Sequence, residues 1–274
     1  MTPEQYFQAC PATRTVALAG GRLSYREAGS GPALIFLHGM NGGSLSWGYQ
    51  FARFADCFRV VAWDAPGYGE SDPIAPSIDA YAACLLDFLT AIGCGHAAVI
   101  GHSMGGMVAA RAAAAPGNGI DRLVLSCTHA GQGDPEDAPM SRRYDARVAE
   151  RTELGATEYG RLRARKMMAP TATPDAVEIA ARIAAEADLA QQRNAYRMLQ
   201  CTDNRAILPT LRQPRLIIAG GKDPVVSNER RAAFRALCPD AQYASIEASG
   251  HAPYIETPDA YNALLDEFIG SGAR

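Results

Sequence analysis

A serine lies inside the glycine-rich hexapeptide 101–106, and its setting favours nucleophilic chemistry. The apolar run 97–100 precedes this hexapeptide and the alanine-rich segment 107–114 follows it, which predicts a strand, a sharp turn and a helix in that order. Glycines two residues before and two residues after Ser103 leave room for such a turn, because they carry no side chain that could clash. Gly-x-Ser-x-Gly alone recurs by chance in long chains. In this strand–turn–helix context it predicts a nucleophile elbow, with Ser103 as the nucleophile.

A serine hydroxyl is a weak nucleophile near neutral pH, so it needs a base and a third group that orients this base. Among the five histidines, His251 is the best candidate for the base, since it follows a predicted strand and opens a turn. The orienting acid is expected between the serine and the histidine in the chain, and Asp223 stands there, directly after a buried strand. Asp203 and Asp121 are the alternatives, but the first lies in a predicted helical region and the second precedes a strand.

Attack on a carbonyl group also requires hydrogen-bond donors for the oxygen that becomes negative. The backbone N–H of Met104 follows the nucleophile and stands at the positive end of the predicted helix, so it is expected to be one donor. The second donor is expected from the glycine-containing loop 38–43, which follows an early strand. The amide of Met40 is the first choice for this donor, and the amide of Asn41 is the alternative.

The surrounding chain alternates strands with helices, which predicts an α/β domain with a mostly parallel, doubly wound sheet. A glycine pair predicts a hairpin between the first two strands. The predicted strands cover residues 14–19, 22–27, 33–37, 59–63, 97–100, 123–125, 215–219 and 241–246. Besides the helix after the serine, helices are predicted over residues 77–92, 229–237 and 259–269.

This alternation stops between residues 131 and 209, which contain no buried-strand pattern and are rich in Ala, Arg and Glu. Helices are predicted there over residues 145–154, 158–168 and 174–199. We therefore expect a core of residues 1–130 and 210–274, with residues 131–209 inserted as a helical cap over the carboxyl edge of the sheet.

The composition of the chain indicates an ordinary globular protein, with 274 residues, 48% of them hydrophobic and 20% charged. A net charge of −3 predicts no nucleic-acid partner and no attraction to anionic membranes. No signal peptide is expected, and no apolar run approaches the ~18 residues of a spanning helix. The seven cysteines are scattered and odd in number, which predicts reduced thiols in a cytoplasm and no zinc site. The sequence carries no signal for an oligomeric state.

Five segments of the chain, in this order, resemble the α/β-hydrolase superfamily: residues 38–39, 64–71, 101–106, 220–223 and 249–251. The chain thereby resembles a cap-bearing member with an α/β-hydrolase fold. The resemblance implies a catalytic triad in which Ser103 is the nucleophile, His251 the base and Asp223 the orienting acid. It also implies that no cofactor or metal is needed and that Asp64 is structural. His102 is expected to be a packing residue or a residue at the pocket edge.

The elbow residues and the cap length resemble both enol-lactone hydrolases and the carbon–carbon bond hydrolases of aromatic ring-cleavage pathways. The second group commonly has Asn before its serine and Trp after its histidine, where this chain has His102 and Ala252. The segment 252–258 resembles lactonase-like and esterase-like members. The expected function is therefore a cofactor-independent serine hydrolase that cleaves a small ester, lactone or amide through an acyl-enzyme. The alternatives are a carbon–carbon bond hydrolase, a lyase, acyltransferase or cofactor-free oxidative enzyme on this fold, and a ligand receptor that keeps the triad.

The segment 141–166 contains seven arginines and one lysine against four acidic residues. Because a guanidinium holds a carboxylate through two hydrogen bonds, one of these arginines could bind an acidic substrate. Candidates are Arg142, Arg143 and Arg147. The alternative is a solvated helix face with salt bridges, and many of these charges must face water.

Overall fold

The structure, a computed structural model, describes residues 1–270. Eight strands form one sheet in the order β1-β2-β4-β3-β5-β6-β7-β8. β2 pairs antiparallel with both of its neighbours, and every other strand pair is parallel. The strands are β1 (Thr13–Leu18), β2 (Gly21–Ala28), β3 (Ala33–Leu37), β4 (Arg59–Trp63), β5 (Ala97–His102), β6 (Ile120–Ser126), β7 (Arg215–Gly220) and β8 (Gln242–Ile246).

The central strands are apolar without interruption because helices cover both faces of the sheet. Successive side chains of a strand point to opposite faces, so β3 contributes to two separate cores. Leu34 and Phe36 lie in the core on one face, and Ile35 and Leu37 lie in the core on the other. Each face therefore has its own apolar cluster, with the sheet between them.

Ten α-helices accompany the sheet in residues 1–270. Side chains of α3, α4 and α8 pack in the core on one face, and side chains of α2 and α10 pack in the core on the other. The helices are α1 (Pro3–Ala9), α2 (Gly48–Phe54), α3 (Ile78–Ala91), α4 (Met104–Ala113), α5 (Arg142–Met167), α6 (Pro174–Ala185), α7 (Arg193–Cys201), α8 (Asn228–Ala236), α9 (Pro253–Glu256) and α10 (Pro258–Gly270).

The prediction of a mostly parallel, doubly wound α/β sheet is confirmed, and all eight predicted strands are present. The helices predicted over residues 77–92, 229–237 and 259–269 correspond to α3, α8 and α10. Helices α1, α2 and the short α9 were not predicted from the sequence.

Along the chain, helices α5, α6 and α7 follow β6 and precede β7. They are called the helical insertion below. Where two helices were predicted, α5 is one element with an interruption at Gly155, whose φ of 72° departs from the helical conformation. The prediction of a single helix over residues 174–199 is wrong, because α6 ends at Ala185 and α7 begins only at Arg193. Between them, the carboxylate of Asp188 accepts hydrogen bonds from the amides of Ala190 and Gln191, and this local turn competes with the helix. The boundaries of the predicted cap, 131–209, stay a prediction.

Within the part of the chain that the structure describes, no helix has both the length and the apolar character that crossing a membrane requires.

Candidate active site

Ser103, His251 and Asp223 lie in one chain of hydrogen bonds at the carboxyl edge of the sheet. The Oγ of Ser103 lies 3.1 Å from Nε2 of His251, and Nδ1 of His251 lies 2.9 Å from Oδ2 of Asp223. A carboxylate accepts hydrogen bonds, so Nδ1 of the imidazole donates to Asp223 and Nε2 of the neutral ring is free to accept the serine proton. Ser103 follows β5, Asp223 follows β7 and His251 follows β8. These are the three residues that the sequence predicted to act together.

The backbone at Ser103 is held in an unusual conformation, with φ 51° and ψ −112°. A positive φ costs a residue other than glycine about 1–3 kcal/mol, and such strain is common at functional sites. The elbow is also closely packed. A Cβ on Gly101 would lie 2.5 Å from the carbonyl oxygen of Gly105, and a Cβ on Gly105 would collide with the carbonyl oxygen of Leu37. Glycine is therefore required on both sides of the serine, as the motif predicted.

The end of the neighbouring strand β6 and the residues after it hold the backbone of the elbow in place. The amide of Ser103 donates to the carbonyl oxygen of Ser126 at 2.9 Å, and the hydroxyl of Thr128 donates to the carbonyl oxygen of Ser103 at 2.7 Å. Thr128 was not predicted from the sequence, because its role depends on the pairing of β5 with β6.

Both oxygens of the Asp223 carboxylate take part in hydrogen bonds. Its Oδ1 accepts hydrogen bonds from the amides of Val225 at 2.7 Å and Val226 at 3.1 Å, while Oδ2 contacts His251. Burial raises the pKa of Asp223, but the hydrogen bonds from His251 and the two amides outweigh burial, so the pKa lies below its ordinary value. Asp223 is therefore charged near neutral pH and can stabilise a positive charge on His251.

The alternative acids lie elsewhere. The carboxylate of Asp203 pairs with Arg205 at 2.6 Å, and that of Asp121 pairs with His96 at 2.9 Å. Asp64 is buried, and its carboxylate accepts hydrogen bonds from the hydroxyls of Ser24 and Ser44 and from the amide of Ser44. Such contacts fit the structural role that the resemblance implies for Asp64.

Glu256, which was not predicted from the sequence, holds the loop that carries His251. Its Oε2 accepts the amides of Gly250 at 2.9 Å and Ala169 at 2.7 Å, and its Oε1 accepts the amide of Ala252 at 2.9 Å. One carboxylate therefore binds the backbone on both sides of His251 and ties it to the segment after α5. A second tie is the hydrogen bond from the amide of His251 to the carbonyl oxygen of Met167, at 2.8 Å.

The backbone amides of Met40 and Met104 were predicted to be the oxyanion donors. Neither amide has a hydrogen-bond acceptor among residues 1–270. The loop that carries Met40 is fixed, because the hydroxyl of Tyr68 donates to the carbonyl oxygen of Met40 at 3.1 Å. The amide of Asn41 likewise has no acceptor in the described structure, so both choices for the second donor stay open.

A cavity of about 170 Å³ opens beside Ser103 and His251. Its walls come from the loop 39–42, from α5 and α7 of the helical insertion, and from Val225 and Val226. Of the three arginines proposed to bind substrate, Arg143 and Arg147 line this cavity. Arg142 is exposed and is not among the lining residues.

One cluster near the relay has the residue types of a metal site. Cys127 lies with Asp223 and His251 so that their potential ligand atoms are within 4.8 Å of one another. Metal binding would need the thiolate, yet burial raises the pKa of the Cys127 thiol well above its ordinary value. The facing atoms of Asp223 and His251 already bond to each other. The donor set therefore suits a hydrogen-bonded relay better than a metal ion.

Comparison with known proteins defines the family. A model described as the alpha/beta hydrolase family matches residues 34–264. The chain belongs to this family. This chain is 28% identical to the N-formylmaleamate deformylase of Pseudomonas putida, over 92% of this chain and 97% of the relative. It is also 29% identical to the pimeloyl-[acyl-carrier protein] methyl ester esterase of Stenotrophomonas maltophilia, over 89% of this chain and 95% of the relative.

Among solved structures, the fold of this alpha/beta hydrolase is similar to that of the enol-lactonase from Burkholderia xenovorans. The TM-score is 0.81 and the identity 22%, over 94% of this chain and all of the other. The predictions of the superfamily, of the fold and of the hydrolase class are thereby confirmed.

Proposed function

We propose that the protein is a cofactor-independent serine hydrolase that cleaves a small ester, lactone or amide. The observation that carries this proposal is the hydrogen-bonded relay, in which the Oγ of Ser103 lies 3.1 Å from Nε2 of His251 while Asp223 holds Nδ1 at 2.9 Å. This arrangement supplies a nucleophile, a base and an orienting acid, which are the three parts that acyl transfer through serine needs.

In the first half of the reaction, the Oγ of Ser103 attacks the carbonyl carbon while its proton passes to Nε2 of His251. Asp223 stabilises the positive charge that forms on the imidazole. The carbonyl oxygen becomes negative and accepts hydrogen bonds from the amides of Met104 and of Met40 or Asn41. The intermediate then collapses: the bond to the leaving oxygen or nitrogen breaks, and His251 gives that atom its proton. The acyl group remains on Ser103 as an ester.

In the second half, water replaces the leaving group. The oxygen of the water attacks the acyl carbon while His251 takes a proton from the water. The bond between the acyl carbon and the Oγ of Ser103 then breaks. The proton on His251 returns to the Oγ of Ser103, and the product leaves as a carboxylic acid. The enzyme is regenerated and needs no other reactant.

The comparisons and the cavity support a small carbonyl substrate. The names of two relatives describe the removal of a formyl group from an amide nitrogen and the cleavage of a methyl ester. A cavity of about 170 Å³ beside Ser103 leaves room for a small acyl group. Because α5 and α7 form walls of this cavity, we assign the helical insertion the role of a cap over the site. The seven scattered cysteines fit a reducing compartment, so the proposed location is the cytoplasm.

The proposal is tested with the Ser103→Ala variant. The wild-type protein is expected to hydrolyse members of a panel of small esters, lactones and amides, and to be labelled by a fluorophosphonate. The variant should lose both properties. Ser30→Ala is a matched control, since Ser30 is exposed in the turn before β3, at the opposite edge of the sheet. Persistent labelling of the Ser103→Ala protein would refute Ser103 as the nucleophile.

A further inference from the structure

The cavity beside Ser103 has an excess of positive charge. No Asp or Glu is among its lining residues in the described part of the chain, whereas five cationic side chains line it: Arg143, Arg147, Arg163, Lys166 and Arg230. Glu150 forms ion pairs with both Arg163 and Lys166, so one negative charge faces two of these positive charges. The other three form no ion pair within residues 1–270. A neutral substrate would leave this excess charge in place.

The electrostatics of a nearby histidine agree with this excess. His129 lines the same cavity, and burial, followed by the positive charge of Arg230, lowers its pKa to about 4. A cationic environment disfavours a further positive charge on an imidazole. The same environment favours an anion.

Among the three cations without an ion pair, Arg147 is held in place by two hydrogen bonds. Its Nη1 donates to Oδ1 of Asn41 at 2.7 Å and to the hydroxyl of Tyr196 at 2.9 Å. The guanidinium also lies against the ring of Tyr196, with Cζ 5.4 Å from the centroid. Both partners are neutral, so they fix the side chain without cancelling its charge.

The hydrogen bonds leave one edge of this guanidinium unused. Because both bonds come from Nη1, the Nε–Nη2 edge has no acceptor among the described residues. Two parallel N–H groups on one edge match the two oxygens of a carboxylate. Arg147 is half-buried and lines the cavity, and this edge of its guanidinium is an unused fork.

The position of Arg147 also relates this fork to the reacting carbonyl. Asn41, which accepts from Arg147, directly follows Met40 in the loop that provides the second oxyanion donor. A carboxylate bound to Arg147 and an oxyanion bound to that loop would therefore lie on the same side of the cavity.

We propose that the substrate carries a carboxylate group and that Arg147 binds this carboxylate through its Nε–Nη2 edge. The inference rests on the proposed function and adds the substrate class to it: a small monoester, lactone or amide of an acid that keeps one free carboxylate. A substrate without this group leaves a half-buried guanidinium unpaired, and the loss of a charged hydrogen bond is the basis of the selectivity.

The kinetic test compares esters that differ only in the replacement of a carboxylate by a methyl group. Monomethyl glutarate and methyl pentanoate carry the difference on the acyl side, and 4-acetoxybutanoate and butyl acetate carry it on the alcohol side. The wild-type enzyme should prefer the anionic member of at least one pair in kcat/KM. Arg147→Met should lower that preference by about tenfold to a hundredfold, the effect of losing a charged hydrogen bond. Arg147→Lys, which keeps the charge but loses the fork, should fall between the two.

The control for the kinetic test is Arg142→Met, because Arg142 lies on the same helix but is exposed and outside the cavity wall. This variant should leave the preference unchanged. A merely structural role of Arg147, as a tie between α5, α7 and the loop, would lower the hydrolysis of both members of a pair equally. An unchanged preference in Arg147→Met would therefore overturn the inference, while continued hydrolysis would leave the proposed function intact.

A binding test separates the inference from the proposed function. In the Ser103→Ala background, calorimetry should detect monomethyl glutarate but not methyl pentanoate at equal concentration, and the added Arg147→Met change should abolish that binding. Arg147-dependent binding without any hydrolysis by the wild-type protein would refute the proposed function and support the carboxylate site. Equal binding of monomethyl glutarate with Arg147 and with Met at this position would refute the carboxylate site.

Discussion

The imidazole of His102 donates a hydrogen bond from Nε2 to the backbone carbonyl oxygen of His251, at a distance of 2.7 Å. A carbonyl oxygen only accepts, so the proton must be on Nε2. Burial, followed by the proximity of the His251 imidazole, lowers the pKa of His102 to about 3, and the ring of His102 is therefore neutral near neutral pH. The residue before the nucleophile thus helps to position the base. The sequence led us to expect a packing residue or a residue at the pocket edge; His102 lines the cavity and also makes this contact with His251.

Replacing His102 should change turnover through the position of His251. His102→Phe keeps a ring of similar size but removes the donor, and kcat for an activated ester should fall roughly tenfold, because a small misplacement of the base is costly. His102→Gln keeps an amide N–H that can reach the same carbonyl, so it should retain more of kcat. Steady-state kinetics with KM measured separately provides the check. Full kcat in His102→Phe would show that the contact has no part in positioning.

The stability of the protein should fall as the pH falls below about 6.5. Burial lowers the pKa of His38, of His102 and of His129, so these rings stay neutral in the folded state while they take up protons in the unfolded state. The unfolded state then binds more protons, and the free energy of unfolding falls between pH 6.5 and about 4. Urea unfolding at pH 7.5 and at pH 5 measures the effect.

A pair of variants isolates the buried histidines as the cause. His129→Gln should reduce the loss of stability between the two pH values. His96→Gln should not reduce it, since His96 is exposed and its hydrogen bond and ion pair with Asp121 raise its pKa. Equal stability of the wild-type protein at pH 7.5 and pH 5 would contradict the account.

Asp223→Asn should lower kcat by roughly 10³- to 10⁴-fold, the scale seen when the orienting acid of a serine triad is neutralised. An amide at this position no longer favours the imidazole tautomer that leaves Nε2 free. The matched control is Asp203→Asn, which removes only the exposed pair with Arg205 and should leave kcat close to that of the wild type. If Asp203→Asn showed the large loss and Asp223→Asn did not, the assignment of the acid would be wrong.

Glu256→Gln should weaken the loop around His251. The carboxylate accepts three amides, those of Ala169, Gly250 and Ala252. An amide side chain has only one oxygen and turns an N–H group towards at least one backbone N–H. Both the thermal midpoint and kcat should decrease, and the KM of a neutral ester should change less than kcat. An unchanged kcat together with an unchanged thermal midpoint would show that the loop holds its shape without this carboxylate.

The residues of the relay were predictable because each follows a predicted strand: Ser103 comes directly after β5, Asp223 shortly after β7 and His251 shortly after β8. The carboxyl ends of parallel strands meet at one edge of the sheet, so Ser103, Asp223 and His251 were expected to converge. Glu256 and Thr128 were not predictable in the same way. Thr128 binds the backbone of Ser103, and Glu256 binds the amide of Ala169, which lies far away in the chain. No periodicity of the sequence reports such contacts.

The helical insertion was likewise predictable only in part. Its helical character followed from composition, but the break at Asp188 depends on a local side-chain turn that competes with a favourable helix pattern. Which of the three candidate arginines line the cavity could be predicted only in part. Arg143 and Arg147 are four residues apart and share a helix face, whereas Arg142 is rotated by about 100° from Arg143. The sequence alone did not tell which face meets the cavity.

The central claim is that the acyl group of the substrate is transferred to Ser103. Rapid-quench mass spectrometry of the intact protein, mixed with an activated ester and digested after quenching, tests this claim most directly. The account predicts a transient mass increase equal to the acyl group, on the peptide that contains Ser103, and its absence in Ser103→Ala. Turnover without any acyl adduct, or an adduct on a different residue, would contradict the account.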